Sequence, residues 1–599
     1  MDFAALKSLK LSEFEDAADG FRSTSGMASQ AKDTLENQIT AAMRKALAGE
    51  AVDAAVGELQ DLSKNFHYIQ VECGLVSTAL NAFASDMQSA KKKLDAAVAD
   101  AQARKFTVRS DGSVSYPAAG DKVDGATPKG GTAGGTTDET ANAINRQAAG
   151  FDPNPNYVYA QECADRIAEA LKEATEADQK WAPTLRKLKA DDDLTVSDKD
   201  WADTQKDMAG VRKGAEHYLD GIKLPPRNGD PAENAEWWKS LTDDERADYI
   251  SMHPDRVGAL NGLPADVRDE ANRTVLNEKH GEYRTRLESM PPEPEPKYLS
   301  VGPKPNGYTA EWREWNEKYG DERKELQSAL NGMDAIQKRF DSTGEDGLPE
   351  AFLLGFDPEG KGDGKVILAN GNPDTADHTA VFVPGTSTDL GGIGGNLNKS
   401  DNLWKTSSSL APGDEVSTIT WFDYDAPDNI PEATHDKYAE KAGPAFRDFL
   451  DGNQTAHQYA TGTTAHTTAI GHSYGSTVIG DAAKSGTWTD GPLAADDVLV
   501  AGSPGMQADR AADLGIKPDH MWAMGAGGLD NVVREGGRGM GLGDNWTIPT
   551  DESFGGNVMQ SDAGDHSAYW DMDGNGNASV SLKNQARVIV GDYKGVTLE

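Results

Sequence analysis

The sequence predicts an α/β protein: a C-terminal domain built on a mostly parallel sheet flanked by helices, preceded by a mainly α-helical N-terminal region. Two patterns predict this architecture. Up to about residue 340, apolar side chains recur at spacings of three and four, which is the periodicity of amphipathic helices. From residue 350 onward, short aliphatic runs alternate with glycine-rich turns and helical stretches, which is typical of parallel strands covered on both faces.

The length and composition of the chain limit the number of domains and the kinds of partner that can be expected. At 599 residues the chain is too long for one hydrophobic core, and about 150 residues per domain gives three or four units. The 98 acidic and 59 basic residues give a net charge of −39, which argues against nucleic acid and anionic membrane surfaces as partners. Only Cys73 and Cys163 are present, so neither a disulfide framework nor a cysteine metal site is inferred.

No targeting or membrane segment is apparent in the sequence. The N-terminus has no basic segment followed by an apolar run, which is the pattern of a signal peptide. No stretch of about 18 apolar residues, the length needed to span a bilayer, occurs anywhere in the sequence. We therefore expect a soluble protein that is either cytoplasmic or exported by a Sec-independent route.

Residues 1–105 are predicted to form a long helical hairpin. From Leu59 to Val98 the apolar positions alternate by three and four residues, which is the heptad seam of one long helix. An earlier amphipathic pattern runs from Phe14 to Met43 and ends near Gly49. The two helices should therefore pack against each other in antiparallel orientation.

This hairpin resembles the small type VII secretion substrates that are named for a Trp-x-Gly turn. Leu47 stands where the tryptophan would be, and Gly49 follows it. The resemblance implies export by a type VII-like route and a secretion-system or helical protein partner bound through residues 1–105. A plain helical interaction module is the alternative for the same residues.

The middle of the chain is predicted to contain several shorter segments. Residues 106–156 comprise a short β-hairpin and a flexible linker, the Gly/Thr/Ala-rich stretch 118–140. Residues 157–290 form a helical region, in which Thr242 to Arg246 opens a helix with a capping-box-like sequence. A proline-rich spacer and a helix over residues 291–345 lead into the last domain.

The C-terminal domain is predicted to span residues 346–599. In an open sheet of parallel strands, ligands bind beyond the carboxyl ends of the strands, so the loops that follow the strands are where a site is expected. The predicted strands are Phe352 to Phe356, Lys365 to Ala369, Thr379 to Val383, Val416 to Trp421, Thr467 to Gly471, Asp497 to Ala501, His520 to Met524 and Ala578 to Leu582.

The fifth of these strands runs into a Gly-x-Ser-x-Gly motif, in which Ser473 lies between Gly471 and Gly475. On a sharp strand-to-helix turn, a serine hydroxyl is presented to a base and to backbone N–H donors for an oxyanion. The glycines remove Cβ atoms that would collide where the strand and the helix pass closely. The expected oxyanion donors are the N–H of Tyr474 and an N–H of the Gly385-Thr386 turn.

An acid and a base follow in the chain order of a Ser-Asp-His triad on this architecture. Asp530 comes just past the end of a predicted strand, and His566 lies in a late loop. Asp530 would orient His566 and fix its tautomer, and His566 would take the proton from Ser473. The other candidates are His457, His466, His472 and His520 for the base, and Asp544 and Asp551 for the acid.

The C-terminal domain carries five motifs in this order: Val383-Pro384-Gly385, Trp421 to Pro427, Gly471 to Ser476, Gly502 to Gly505 and His566-Ser567. With these motifs, residues 350–595 resemble an actinobacterial family of uncharacterised serine hydrolases with an α/β-hydrolase domain. The resemblance implies a Ser-Asp-His hydrolase and does not define its substrate. Two positions depart from the family pattern: Asp423 replaces a small residue, and the acid loop reads Gly-Gly-Leu-Asp.

The sequence therefore predicts a serine hydrolase that cleaves carboxylic esters, lipid esters among them, without a cofactor. The alternatives are a Sec-independent secreted effector or toxin with a helical export module, and a non-catalytic scaffold. Asp571 to Asn577 copies the first half of a calcium loop, but Leu582 occupies position 12, and a glycine-rich turn is the other interpretation. Residues 535–543 are predicted to be a mobile loop that could cover the site.

Overall fold

The computed structural model describes residues 1–188, 195–227, 229–299, 307–360, 362–486 and 491–599, with Leu529 described by its backbone only. The chain divides into two compact units. Unit 1 comprises Met1–Ser29, His67–Leu194 and Thr204–Leu224, and unit 2 comprises Gln30–Phe66, Thr195–Asp203 and Pro225–Glu599.

The first hundred residues are helical, as their apolar spacing predicts. The elements are α1 (Phe3–Ser8), α2 (Ser12–Asp33), a π-helical turn (Thr34–Thr40), α3 (Ala41–Ala46) and α4 (Glu50–Ala103). Helices α2 and α4 pack antiparallel: the ring centroids of Phe14 and Phe83 are 5.0 Å apart, and the Ser77 hydroxyl donates to the Ala18 carbonyl. The predicted apolar seam of α4 is buried from Phe83 onward, whereas Leu62 near its start is exposed.

Unit 1 also contains a three-stranded antiparallel sheet of β1 (Thr107–Val108), β2 (Val114–Tyr116) and β3 (Gly131–Ala133). The pairing of β1 with β2 confirms the predicted hairpin. Strand β3 lies inside the stretch predicted to be a flexible linker, so that prediction is wrong for these residues. Glycine permits the close approach, because a Cβ at Gly130 would lie 2.3 Å from the Tyr116 carbonyl oxygen.

Helices connect the small sheet to the C-terminal domain. They are α5 (Glu139–Phe151), α6 (Asn156–Lys187), α7 (Asp198–Gly214), α8 (Glu216–Leu219), α9 (Pro231–Ser240), α10 (Asp243–Met252), α11 (Pro254–Ala259), α12 (Ala265–Ser289), α13 (Ala310–Trp315), a π-helical turn (Asn316–Gly320) and α14 (Asp321–Asp341). The predicted capping box is confirmed, because Thr242 and Glu245 exchange side-chain and backbone hydrogen bonds at the start of α10. Residues 300–306 of the predicted spacer lie outside the described residues.

The C-terminal domain is built on an eight-stranded sheet. Its strands are β4 (Ala351–Asp357), β5 (Lys365–Asn370), β6 (His378–Val383), β7 (Val416–Phe422), β8 (His466–His472), β9 (Asp497–Ala501), β10 (Met521–Met524) and β11 (Asn557–Val558). Their spatial order is β11-β10-β9-β8-β6-β7-β5-β4. The pairs from β7 to β11 are parallel, and β5 is antiparallel to both β4 and β7, so the sheet is mostly parallel as predicted.

One predicted strand is wrong. The stretch from Ala578 to Leu582 begins a helix, and the eighth strand is instead Asn557–Val558. The Ser579 side chain accepts the Leu582 N–H and caps the helix. A short apolar run does not distinguish a strand from the first turn of a buried helix, and here the cap and the following helical spacing favour the helix.

Helices cover both faces of the sheet, which explains why its central strands are apolar on both sides. The helices of this domain are α15 (Gly394–Leu410), α16 (Lys437–Thr461), α17 (Tyr474–Ser485), α18 (Leu529–Met540) and α19 (Val580–Ile589). Leu403 of α15 and Ile589 of α19 share one core with Phe382, and Leu330 of α14 and Phe446 of α16 belong to the core on the opposite face. Within the described ranges, no helix has the length and apolar character needed to cross a membrane.

Candidate active site

The predicted site residues gather at the carboxyl ends of β6, β8, β9 and β10, which are neighbours in the sheet. Strand β6 leads into the Pro384-Gly385-Thr386 loop, β8 ends directly before Ser473, β9 ends before Gly502, and β10 leads to the segment that carries Asp530. This is the edge of a parallel sheet at which ligands bind. Their convergence depends on strand order, because their loops lie far apart in the sequence.

Ser473 occupies a strained turn between β8 and α17. Its φ of 53° and ψ of −126° lie in a region that residues with a Cβ rarely adopt, at a cost of about 1–3 kcal/mol. The turn is held by the bond from the Ser473 N–H to the Ala501 carbonyl, 3.0 Å. A Cβ at Gly475 would lie 2.2 Å from the Val383 carbonyl oxygen, and one at Gly471 would also collide with α17, so both glycines of the motif are required by packing.

The loop after β6 lies against the serine turn. A Cβ at Gly385 would lie 2.7 Å from the Cβ of Ser473 and 3.1 Å from the Tyr474 nitrogen. The Tyr424 hydroxyl donates to the Pro384 carbonyl at 2.6 Å, and the Thr388 hydroxyl donates to the Gly385 carbonyl at 2.8 Å. The hydrogen bond from Thr388 fixes the orientation of the Gly385 carbonyl. The N–H of Thr386 belongs to the same trans peptide and therefore points the opposite way.

Three backbone N–H groups near Ser473 are free to donate. Within the described ranges, the N–H groups of Gly385, Thr386 and Tyr474 have no protein acceptor. Tyr474 is the first residue of α17, and the first N–H groups of a helix have no partner within it. Unpaired donors beside a serine hydroxyl can stabilise an oxyanion that forms on a carbon attached to that serine.

Asp530 and His566 form a direct hydrogen bond, 2.7 Å between Asp530 Oδ1 and His566 Nδ1. The Asp530 side chain is fully buried, and its Oδ2 accepts from the Ala526 N–H and from Arg534 Nε, both at 2.8 Å. Burial alone would raise the pKa of Asp530, but the bonds from His566 and the Ala526 N–H outweigh it, so the pKa of Asp530 lies below its usual value. Asp530 therefore remains ionised and contacts Nδ1 of the His566 ring, which leaves Nε2 without a bond to this carboxylate.

Gly502 explains the Gly-Ser-Pro-Gly motif after β9. Its φ is 59°, and a Cβ there would lie 2.5 Å from Asp530 Oδ1 and 2.8 Å from His566 Nδ1. Only glycine leaves room for this hydrogen bond at the end of β9. Ser503 packs beneath the serine turn, where its hydroxyl contacts the Ser476 hydroxyl at 2.7 Å, and Ser476 donates to the Ser473 carbonyl at 2.6 Å.

His472 has a role that the sequence did not indicate. Its Nε2 donates to the His566 carbonyl at 2.7 Å, and its ring lies 4.9 Å from that of Trp570. Burial, helped by the positive charge of Lys399, lowers the pKa of His472 well below its usual value. His472 is therefore neutral. Because His472 directly precedes Ser473, its bond to the His566 carbonyl holds the loop that carries His566 beside the serine turn.

The other candidate residues make bonds elsewhere. His466 and His520 both contact Asp497 at the opposite end of β9, and His457 Nδ1 contacts the Pro373 carbonyl. Asp551 pairs with Arg538, and Asp544 is the first residue of a short 3-10 turn (Asp544–Trp546). Asp423, which stands where the family pattern has a small residue, forms an ion pair with Lys365 at 2.7 Å.

Two segments assigned from composition or from a partial motif, residues 535–543 and Asp571 to Asn577, have defined structures. Residues 529–540 form helix α18, so the prediction of a mobile loop from residue 535 is wrong for most of that stretch. In the calcium-like loop, the Asp573 carboxylate accepts the N–H groups of Asn575 and Asn577 and the Asn577 side chain. Among the described residues, no group of three or more His, Cys, Asp or Glu side chains is arranged to hold a metal ion.

Comparison with known proteins supports the fold assignment. The profile of the alpha/beta hydrolase family matches residues 357–535. The uncharacterized protein Rv2079 of Mycobacterium tuberculosis is 30% identical over 303 residues, which are 49% of this chain and 42% of that protein. The uncharacterized proteins Rv0963c of M. tuberculosis and Mb0988c of Mycobacterium bovis are each 31% identical over 169 residues, 27% of this chain and 60% of theirs.

The chain thus spans less than half the length of the first of these relatives. The family match and the eight-stranded sheet together confirm the predicted fold class: a helical N-terminal region followed by an α/β-hydrolase domain with a mostly parallel sheet.

Proposed function

We propose that the C-terminal domain hydrolyses carboxylic esters through Ser473, His566 and Asp530. The observation that carries the proposal is the 2.7 Å bond between the buried Asp530 and His566 at the same sheet edge as the strained Ser473 turn. Oriented by this bond, His566 holds its proton on Nδ1 and leaves Nε2 free to act as a base. The alpha/beta hydrolase match over residues 357–535 supports hydrolysis as the reaction class.

In this mechanism, Ser473 Oγ attacks the ester carbonyl carbon while His566 Nε2 takes the hydroxyl proton. The oxygen of the tetrahedral intermediate accepts from the N–H of Tyr474 and from an N–H of the Gly385-Thr386 turn. Collapse of the intermediate breaks the bond to the alcohol, which leaves with the proton from His566. Water then repeats the sequence on the acyl-enzyme and releases the carboxylic acid. No cofactor takes part in these steps.

The outer side of α18 supports esters with an apolar acyl chain, lipid esters included. Val532 and Met540 are each 62% exposed, and Trp546 after the helix is 69% exposed. Exposed apolar side chains in one segment mark surfaces that bind apolar ligands. Asp530 lies near the start of the same helix, and the proposal places the acyl chain along the outer side of this helix.

Ser473→Ala tests the reaction. Removal of the nucleophile should reduce the turnover of p-nitrophenyl butyrate by about 10⁴-fold or more while the circular dichroism and melting temperature are retained. The wild type, but not this variant, should be labelled by a fluorophosphonate. Ser485→Ala, at the far end of α17, serves as the matched control and should keep full activity. Equal turnover by Ser473→Ala and the wild type would refute the mechanism, and an unlabelled wild type would favour a non-catalytic scaffold.

A series of p-nitrophenyl esters from acetate to palmitate tests the substrate class. We expect activity to rise with acyl length in the wild type. The double variant Val532→Ser/Met540→Ser should lose about tenfold in kcat/KM for palmitate and little for acetate, because only the long chain reaches the outer side of α18. An unchanged preference for chain length in the double variant would contradict the lipid-ester proposal.

We also propose that residues 1–105 form an export or docking module of a secreted effector. The antiparallel packing of α2 on α4 supports this second proposal, because it is the arrangement of a helical hairpin. The protein should then appear in the culture medium of a type VII-competent actinobacterium and be absent from the medium when the secretion ATPase is deleted. Detection in the cytosol alone, with the system intact, would contradict the proposal.

A further inference from the structure

Arg534 makes an unusually complete set of contacts around Asp530. Its Nε donates to Asp530 Oδ2 at 2.8 Å, and its Nη2 donates to the Ala526 carbonyl at 3.2 Å and to Asn531 Oδ1 at 2.6 Å. Its Nη1 reaches the Thr550 hydroxyl at 3.3 Å. The side chain is 19% exposed. The guanidinium is thus fastened at three nitrogens and is held in a single orientation against the carboxylate.

The local sequence makes room for this guanidinium. A Cβ at Gly525 would lie 2.7 Å from Arg534 Cζ, so a side chain there would displace the guanidinium from its place after β10. Arg534 is four residues after Asp530 on α18, the spacing at which two side chains on one helix face meet. Gly537, one turn further, packs on Pro504, where a Cβ would lie 2.1 Å from the carbonyl oxygen.

In helix α18, two arginines face the body of the domain, while Glu535 and two apolar residues are exposed. An ordinary surface helix turns apolar residues and not arginines toward the domain. Arg534 and Arg538 point to the domain and form ion pairs, whereas Val532 and Met540 are exposed. A charged helix face packed against the body of a domain is stable only if its charges are paired and hydrogen-bonded, and here the partner of Arg534 is the carboxylate that contacts His566.

The contacts of Asp530 show which groups the charge of Arg534 acts on. The carboxylate faces His566, Arg534 and the buried Tyr569, whose hydroxyl also helps to lower the pKa of Asp530. His566 in turn faces Asp530 and the neutral His472. The guanidinium and the Ala526 N–H hold Oδ2 of the carboxylate, so Oδ1 is left to accept from His566 Nδ1.

We infer that Arg534 is a positioning residue: it fixes the orientation of Asp530, so that Oδ1 faces His566 Nδ1 and the ring of His566 is held in place. The inference rests on the proposed hydrolase mechanism, in which His566 accepts the Ser473 proton.

Arg534→Gln tests the inference, with Arg538→Gln as the matched control on the same helix, because Arg538 pairs with Asp551 and not with Asp530. We expect kcat at the optimum to fall about tenfold in Arg534→Gln, with KM within twofold, because a misplaced base slows the chemical step and not the binding of substrate. Arg538→Gln should keep kcat within twofold. Arg534→Lys keeps the charge but loses the planar contacts, so it should lower kcat about fivefold.

Equal kcat in Arg534→Gln and the wild type would overturn the inference. If Arg534→Gln does not fold, a lysine variant with the full kcat of the wild type would do the same. A second readout separates this inference from the proposed function. In the Ser473→Ala background, the NMR signal of the His566 Nδ1 proton, which is held by the bond to Asp530, should shift when Arg534 is replaced by glutamine. This shift is expected even if none of the esters is hydrolysed, and its absence would refute the role of Arg534 alone.

Discussion

Asp530→Asn should abolish most of the esterase activity while leaving the fold and the substrate affinity almost unchanged. Three donors converge on this side chain: His566 Nδ1 on Oδ1, and the Ala526 N–H and Arg534 Nε on Oδ2. An asparagine has nearly the same volume as the aspartate, but it offers one carbonyl oxygen and one NH₂ group. The effect on activity therefore depends on which way the amide turns.

The contacts determine this orientation. If the NH₂ group replaced Oδ2, it would face two donors, the backbone N–H of Ala526 and the guanidinium of Arg534, and neither can change its protonation. If the NH₂ group replaces Oδ1, it faces only His566, which can relieve the conflict by moving its proton from Nδ1 to Nε2. The second orientation is favoured by about one hydrogen bond, or about 1–3 kcal/mol.

In that tautomer His566 cannot accept the Ser473 proton. We expect kcat for p-nitrophenyl butyrate to fall by about 10⁴-fold, which is about 5.5 kcal/mol in the activation free energy, with KM within threefold. Fluorophosphonate labelling should slow in proportion. Asp551→Asn, which loses a pair with Arg538 instead, should retain activity within about threefold. If Asp530→Asn keeps more than a tenth of the wild-type kcat, Asp530 is not the acid of this site.

Three further predictions concern the elements that support the site. Gly475→Ala should destabilise the domain by about 3 kcal/mol or more, because its Cβ would lie 2.2 Å from a carbonyl oxygen of β6, whereas Gly536→Ala, with open space around it, should raise the melting temperature. His472→Phe removes the donor to the carbonyl of the base and should lower kcat about tenfold without changing KM, and an unchanged kcat would show that this bond is dispensable. Asp497→Asn should lower the free energy of unfolding by about 3 kcal/mol, and this difference should be largest between about pH 4 and 6.5. The lowered pKa of Asp497 adds stability that is lost as the pH falls. The raised pKa of His466 adds stability that is lost as the pH rises. Urea unfolding from pH 3 to pH 8 measures the difference, and a pH-independent difference would contradict this assignment.

The elements that the sequence predicted well depend on local chemistry. The motif around Ser473 requires a strand, a strained residue and two glycines within a few positions, and all of them are read from neighbouring residues. Long aliphatic runs bounded by turns predicted seven of the sheet's eight strands, because a strand buried on both faces has few alternatives. The spacing in α4 similarly predicted one long helix, although it placed Leu62 in a buried seam and the structure exposes it.

The three structural predictions that are wrong concern short or glycine-rich segments. The short run Ala578 to Leu582 is compatible with a strand or a helix, and the cap at Ser579 decides in favour of the helix. The glycine-rich linker forms a third strand because its glycines permit contact with Tyr116. Composition predicted mobility for residues 535–543, but the inward ion pairs of Arg534 and Arg538 stabilise helix α18. For Ala578 to Leu582 the outcome is set by a cap within the run, and for the other two segments by contacts with residues outside them.

The sequence by itself determined which residues could act as nucleophile, base, acid and oxyanion donors, because each carries its chemistry and its chain position with it. Only the tertiary structure decided how these residues are supported. His472 reaches the carbonyl of His566 across 94 residues, and Arg534 and His566 both contact Asp530. Hydrogen bonds of this kind form between loops that strand order brings together, and no spacing in the sequence encodes them.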